Sequence, residues 1–170
     1  FNIVTHSHDV VVTNNVSYDN AEVGIIVQRG SGSKSIDGWE NMLNYNVLVE
    51  NNEVYGNGTH GIVLKQVESS QVLDNDIHDN GGDGIHLEGA HDNVISGNLI
   101  SGQTQAIEIA KYPGSLGGPS ASYDNLVTAN VIDRTSEALV ESGSSTKDNI
   151  FTDNVILEGL VKVGAASIVD

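Results

Sequence analysis

The chain has 170 residues, a formal net charge of −16 with only 7 Lys and Arg, and no Cys. Its acidity argues against nucleic acid and an anionic membrane surface as partners, since both need basic patches. No run of about 18 apolar residues is present to span a bilayer, and the absence of Cys excludes a disulfide framework and thiolate catalysis.

The chain opens on Phe1-Asn2-Ile3-Val4, which aligns with the middle of the later stretches 25–28 and 62–65, so the natural N-terminus is expected upstream and the chain is read as a fragment. From Asn15 onward a cassette recurs, with an Asn two residues before an aliphatic position and a Gly-Ile pair beginning nine residues after that Asn. Its clearest copies are NNEVYGNGTHGIVL from Asn51 and DNDIHDNGGDGIHL from Asp74, 23 residues apart. The anchoring Asn residues are Asn15, Asn52, Asn75, Asn98, Asn130 and Asn154, spaced by 37, 23, 23, 32 and 24; the two long intervals contain insertions. A fixed period of this size marks a stacked repeat architecture.

Within each repeat, three short apolar stretches are separated by turns. The first stretch recurs at 10–12, 47–49, 71–73, 94–95, 126–127 and 150–151, the second follows each Asn corner, and the third recurs at 25–28, 62–65, 84–88, 107–110 and 139–142. Each is too short for a helix and rich in β-branched residues. Three strands per turn of about 23 residues predict an all-β, right-handed parallel β-helix occupying 1–170 as a single domain, since crossovers between parallel strands are right-handed in nearly all cases. A leucine-rich repeat has a similar period but needs a Leu-x-x-Leu-x-Leu spacing that is absent.

The corner Asn residues read as structural: Asn tolerates a left-handed bend, and stacked amides can bond from coil to coil. Gly24, Gly61 and Gly84, which open third stretches, read as turn residues. Alternation gives the third stretch two faces. Ile25, Ile62, Ile85, Ile107 and Leu139 point inward with Val27, Leu64, Leu87 and Ile109. Asn2, Ile26, Val63, His86 and Glu108 form one outward column; Val4, Gln28, Lys65, Glu88 and Ala110 form the next. Such a surface suits an extended polymer. The insertions at 30–45, with Lys34, Asp37, Trp39, Glu40 and Tyr45, and at 111–123, with Lys111, Tyr112 and Tyr123, are expected to wall it; their aromatics suit either stacking on sugar rings or, for Trp39, anchoring its own loop.

The segments FNIVTHSHDVVVTNNVSYDN, GIIVQRGS, NNEVYGNGTHGIVLK, VLDNDIHDN and the terminal LVKVGAASIVD resemble the catalytic modules of secreted bacterial mannuronan C5-epimerases, in their C-terminal half. The resemblance implies conversion of β-D-mannuronate to α-L-guluronate within alginate, dependence on Ca2+, and a secreted location; a monomer is expected. It places Lys65 and the Gln28-Arg29 pair at the polymer groove, with Asn2 and Thr5 as further substrate contacts. The family's Asp-Pro-His-Glu motif is absent, because the only prolines are Pro113 and Pro119. The catalytic residues are therefore unassigned and the chain alone is expected to be inactive. His86 is the one alternative acid or base; His6, His8, His60, His78 and His91 read as structural or fit no metal motif, and no calcium site is located. The alternatives are a polysaccharide lyase, which shares C5 proton abstraction, and a carbohydrate-binding β-helix without catalysis.

Overall fold

The structure, a computed structural model, describes residues 1–30, 43–114 and 119–169. Every regular element among them is a short strand, as stretches of β-branched residues between bends require. Stacking first stretches makes one sheet in the order β2 (His8–Thr13), β5 (Asn44–Glu50), β9 (Gln71–Leu73), β12 (Val94–Ser96), β15 (Leu126–Thr128), β18 (Ile150–Thr152) and β21 (Ile168–Val169). A short extra strand, β8 (Val67–Glu68), pairs with β5. Second stretches stack as β3 (Val16–Tyr18), β6 (Glu53–Tyr55), β10 (Asp76–His78), β13 (Leu99–Ser101), β16 (Val131–Asp133) and β19 (Val155–Ile156). The third sheet runs β1 (Asn2–Val4), β4 (Ile25–Gln28), β7 (Ile62–Lys65), β11 (Asp83–Glu88), β14 (Gln105–Ala110), β17 (Glu137–Ser142) and β20 (Leu160–Lys162). All pairings are parallel and join equivalent strands of successive coils, which makes a parallel β-helix.

The core is a set of aliphatic columns between the sheets. Ile25, Ile62, Ile85 and Ile107 are fully buried in one, and Val27, Leu64, Leu87 and Ile109 in the next. Ser17 enters an otherwise aliphatic column of the second sheet, where its hydroxyl donates to Gly24 O at 2.9 Å and so stays satisfied.

The corner Asn residues form the expected ladder. Each side-chain amide donates to the carbonyl of the next, at 3.1 Å from Asn15 to Asn52, 3.0 Å to Asn75, then 2.9 Å to Asn98, Asn130 and Asn154. The left-handed bend, however, belongs to the residue before each: Asn14, Asn51, Asp74, Gly97, Ala129 and Asp153, with φ between 52° and 71°. The ladder Asn instead turns its amide inward, where Asn52, Asn75, Asn98 and Asn130 are buried. Two further ladders occupy the other corners, Asn93 to Asn125 to Asn149 and Asn20 to Asn57 to Asn80. The first of these ends at Glu141, whose carboxylate accepts from Asn149 Nδ2, Ser167 Oγ and Gly164 N, each at 2.7 Å.

The Gly-Ile glycines also have a different cause from the expected one. None of Gly24, Gly61 and Gly84 has a positive φ. A Cβ on Gly61 would lie 2.7 Å from both Gly84 O and Ile77 Cγ2, so it is the close approach of neighbouring coils that demands glycine.

Candidate functional site

Outward residues of the third sheet stack in register about 4.8 Å apart. The register gives the columns that alternation required, Asn2, Ile26, Val63, His86, Glu108 and Val140, then Val4, Gln28, Lys65, Glu88, Ala110 and Ser142, but Val63, Ala110 and Val140 are buried rather than facing solvent. Lys65 is one-third exposed; its Nζ lies 3.0 Å from the Glu88 carboxylate and 5.1 Å from the centre of the Tyr112 ring. Tyr112 is itself buried, its N–H donating to Ser120 O at 2.7 Å, and Gln66 Nε2 donates to Pro119 O at 3.1 Å. Tyr112 and Pro119, both in the stretch after β14, thus lie against the Lys65 side of the sheet. Gln28 donates to Asn2 Oδ1 at 3.1 Å on the exposed face, which brings those two expected contacts together.

Arg29 is placed differently. It follows the last residue of β4 and is 7% exposed, against one-third for Lys65. Thr5 lies in the bend after β1 with φ of 41°. Tyr45 and Tyr123 stack on His8 and His91 at 4.9 and 4.7 Å between centroids, in register positions of the first sheet's side. Lys34, Asp37, Trp39 and Glu40 lie outside the described residues.

A close polar group surrounds His86. Its Nδ1 lies 2.7 Å from Asp83 Oδ2 and 3.0 Å from Glu108 Oε2. His60, one coil earlier, has Nδ1 3.1 Å from the same Asp83 oxygen and 3.1 Å from the Asp83 backbone N–H, while the His60 and His86 rings lie 4.8 Å apart. Whichever nitrogen of His60 carries its proton, the ring is tied to Asp83. Burial opposes charge on His86, but hydrogen bonds from its ring to Asp83 and Glu108 outweigh it and push the imidazole up to about 9. Burial likewise raises the Asp83 carboxyl, yet hydrogen bonds from His60 and His86 hold it down at about 2. His86 is therefore an imidazolium at neutral pH, set between two carboxylates: a donor rather than a base.

His60 and Asp83 are functional candidates that sequence reasoning missed. The signal was present in two forms: they are equivalent positions 23 residues apart, and Asp83 precedes His86 by three on one strand. Among the described residues, His60, Asp83 and His86 are the one group of three whose donor atoms all lie within 4.8 Å of one another. Two imidazoles and one carboxylate do not fit Ca2+, which takes six to eight oxygen ligands.

The family described as "Right handed beta helix region" matches residues 2–168. The mannuronan C-5 epimerase AlgE4 A-module of Azotobacter vinelandii superposes with a TM-score of 0.86 at 27% identity, covering 100% of this chain and 47% of that one. The AlgE6 A-module of the same organism gives 0.85 at 29% identity, with 100% and 46% covered. A double mutant of the periplasmic alginate epimerase AlgG gives 0.75 at 14% identity, covering 92% and 36%, a likeness of fold alone. This chain therefore spans less than half the length of the two A-modules. No curated protein matches it.

Proposed function

Because the chain belongs to the right-handed β-helix family, we propose on that framework that it is part of a mannuronan C5-epimerase module, acting on alginate outside the cytoplasm. The observation that carries this reading is the match of the entire chain to two epimerase A-modules at 27% and 29% identity. The third sheet's outward columns supply the polymer groove, walled by the Tyr112 segment, with Lys65, Gln28 and Asn2 as contacts.

The chemistry constrains what such a groove must do. Removing the C5 proton of a uronate creates a carbanion beside a carboxylate, so the carboxylate must first be neutralised, and proton removal and return need groups on opposite faces of the ring. Lys65 supplies positive charge once a uronate competes with Glu88 for it. His86, charged and held by Asp83 and Glu108, is suited to donate to a sugar oxygen and unsuited to abstract a proton. The chain thus contributes substrate binding, while the base and acid belong to the Asp-Pro-His-Glu motif that its sequence lacks. Ca2+ is implied by the family likeness, and the His60, Asp83 and His86 set does not suit it.

Incubation with polymannuronate and Ca2+, followed by proton NMR, tests the reading. Binding without conversion is expected. Guluronate signals would overturn the division of labour, an unsaturated uronate chromophore would make the chain a lyase, and failure to bind the polymer would overturn the groove itself.

A further inference from the structure

Beyond the epimerase reading and independently of it, we propose that His60, Asp83 and His86 form a site for a borderline transition-metal dication, Zn2+ above all, with Glu108 set against it. Zinc takes nitrogen and carboxylate donors at roughly 2.0–2.2 Å, which places tetrahedral donors about 3.4 Å apart. Here Asp83 Oδ2 already lies 2.7 Å from His86 Nδ1 and 3.1 Å from His60 Nδ1, and all three donors lie within 4.8 Å of one another. Drawing the Asp83 oxygen back slightly from the two ring nitrogens, with all three donors already within 4.8 Å, makes room for the ion.

The donors stand on a rigid scaffold. Asp83 and His86 belong to one strand, β11, and His60 lies two residues before the start of β7, which is paired to β11 in register. The side chains of Asp83 and His86 are 7% and 13% exposed and that of His60 is 30%, so the site opens at His60 and is enclosed elsewhere. Among the described residues, the ion pairs of Asp83 and Glu108 are to histidine alone. The proton now shared by His86 with two carboxylates is thus their counter-charge, and a dication replaces it: the proton leaves to solvent and the freed nitrogen lone pair binds the metal. Glu108, 3.0 Å from His86, then either orients that ring or joins the ion. Two imidazoles select Zn2+, Ni2+ or Cu2+ over Ca2+ and Mg2+.

The test is titration of the chelator-stripped chain with ZnCl2 by calorimetry and with CoCl2 by visible absorption. One equivalent is expected to bind, with Co2+ d–d bands that excess Ca2+ leaves in place. His86→Gln and Asp83→Asn should each weaken Zn2+ binding by about tenfold or more. His91→Gln is the control, because His91 also faces carboxylates, those of Glu68 and Asp92, without forming such a group, and it should change nothing. Circular dichroism checks each variant's fold; if His86→Gln unfolds, the more exposed His60→Gln decides. Less than one equivalent bound, displacement of Co2+ by Ca2+, or equal affinity in the His60 and His91 variants would overturn the site.

Discussion

Lys65 Nζ lies 3.0 Å from the carboxylate of Glu88, its register partner on the next coil. In a chain of net charge −16, this outward cation is therefore already engaged, and a polyuronate must compete with Glu88 to reach it. Glu88→Gln is expected to tighten binding to polymannuronate, and Lys65→Gln to weaken it by about tenfold, or ~1.4 kcal/mol. Affinity electrophoresis in alginate gels measures both. Weaker binding by Glu88→Gln would show that Glu88 itself holds the polymer or positions Lys65.

The Asn ladder makes a sharper statement about stability. Asn75 is 1% exposed; its amide donates to Asn98 Oδ1, Leu73 O and Val49 O, and its oxygen accepts from Asn52. Asn75→Ala strands several buried partners and should cost on the order of 3 kcal/mol. Asn154→Ala, at the half-exposed end of the same ladder, should cost clearly less. Urea denaturation compares them, and equal losses would refute a graded ladder.

Ala129 holds the left-handed corner position, with φ of 55°, that other coils fill with Asn14, Asn51, Asp74, Gly97 and Asp153. It is exposed and carries the steric cost of a Cβ in that conformation. Ala129→Gly should stabilise the chain by about 1 kcal/mol, read as a rise in melting temperature. A fall would mean that the Ala129 methyl makes a compensating contact.

With EDTA present, the His86 cluster predicts a pH optimum. His86 is raised from 6.5 to about 9 by Asp83 and Glu108, so its stabilisation is full below 6.5 and is lost as pH rises toward 9. Asp83 is lowered from 3.8 to about 2, so its stabilisation is full above 3.8 and is lost as pH falls toward 2. The groups facing His86 are Asp83 and His60 at the strand start, Val63 on one neighbouring strand and Glu108 on the other. Melting temperatures should therefore be highest between these limits, and Asp83→Asn should flatten both flanks. A wild-type profile that Asp83→Asn leaves unchanged would remove the cluster from the account.

The coil and its inward columns were legible because a period-2 alternation repeated every 23 residues has one economical packing. The corner conformation was not: in Asn14-Asn15 and Asn51-Asn52 either residue suits a left-handed bend, and Gly97-Asn98 with Ala129-Asn130 separates the two roles only once φ is known. The second ladder went unread although Asn93, Asn125 and Asn149 each precede an anchor by five residues. Lys65 and Gln28 were legible as outward strand residues. Arg29 follows β4 and is 7% exposed, a burial that its place in the Gln-Arg-Gly segment did not reveal. His60 was read as a corner residue because its partner Asp83 becomes visible only when successive coils are laid side by side.

The three ladders also give the coil an electrical direction. Within each ladder the side-chain to side-chain bonds share one sense: the amide nitrogen donates to the later coil's Asn and the carbonyl accepts from the earlier coil's, while the same nitrogens also donate back to main-chain carbonyls such as Val49 O and Val67 O. The donor end of one ladder is met by the negative charge of Glu141, as an acidic side chain meets the positive end of a helix. The two ends of the solenoid thus ask for different company: acceptors and negative charge at the later end, donors at the earlier one.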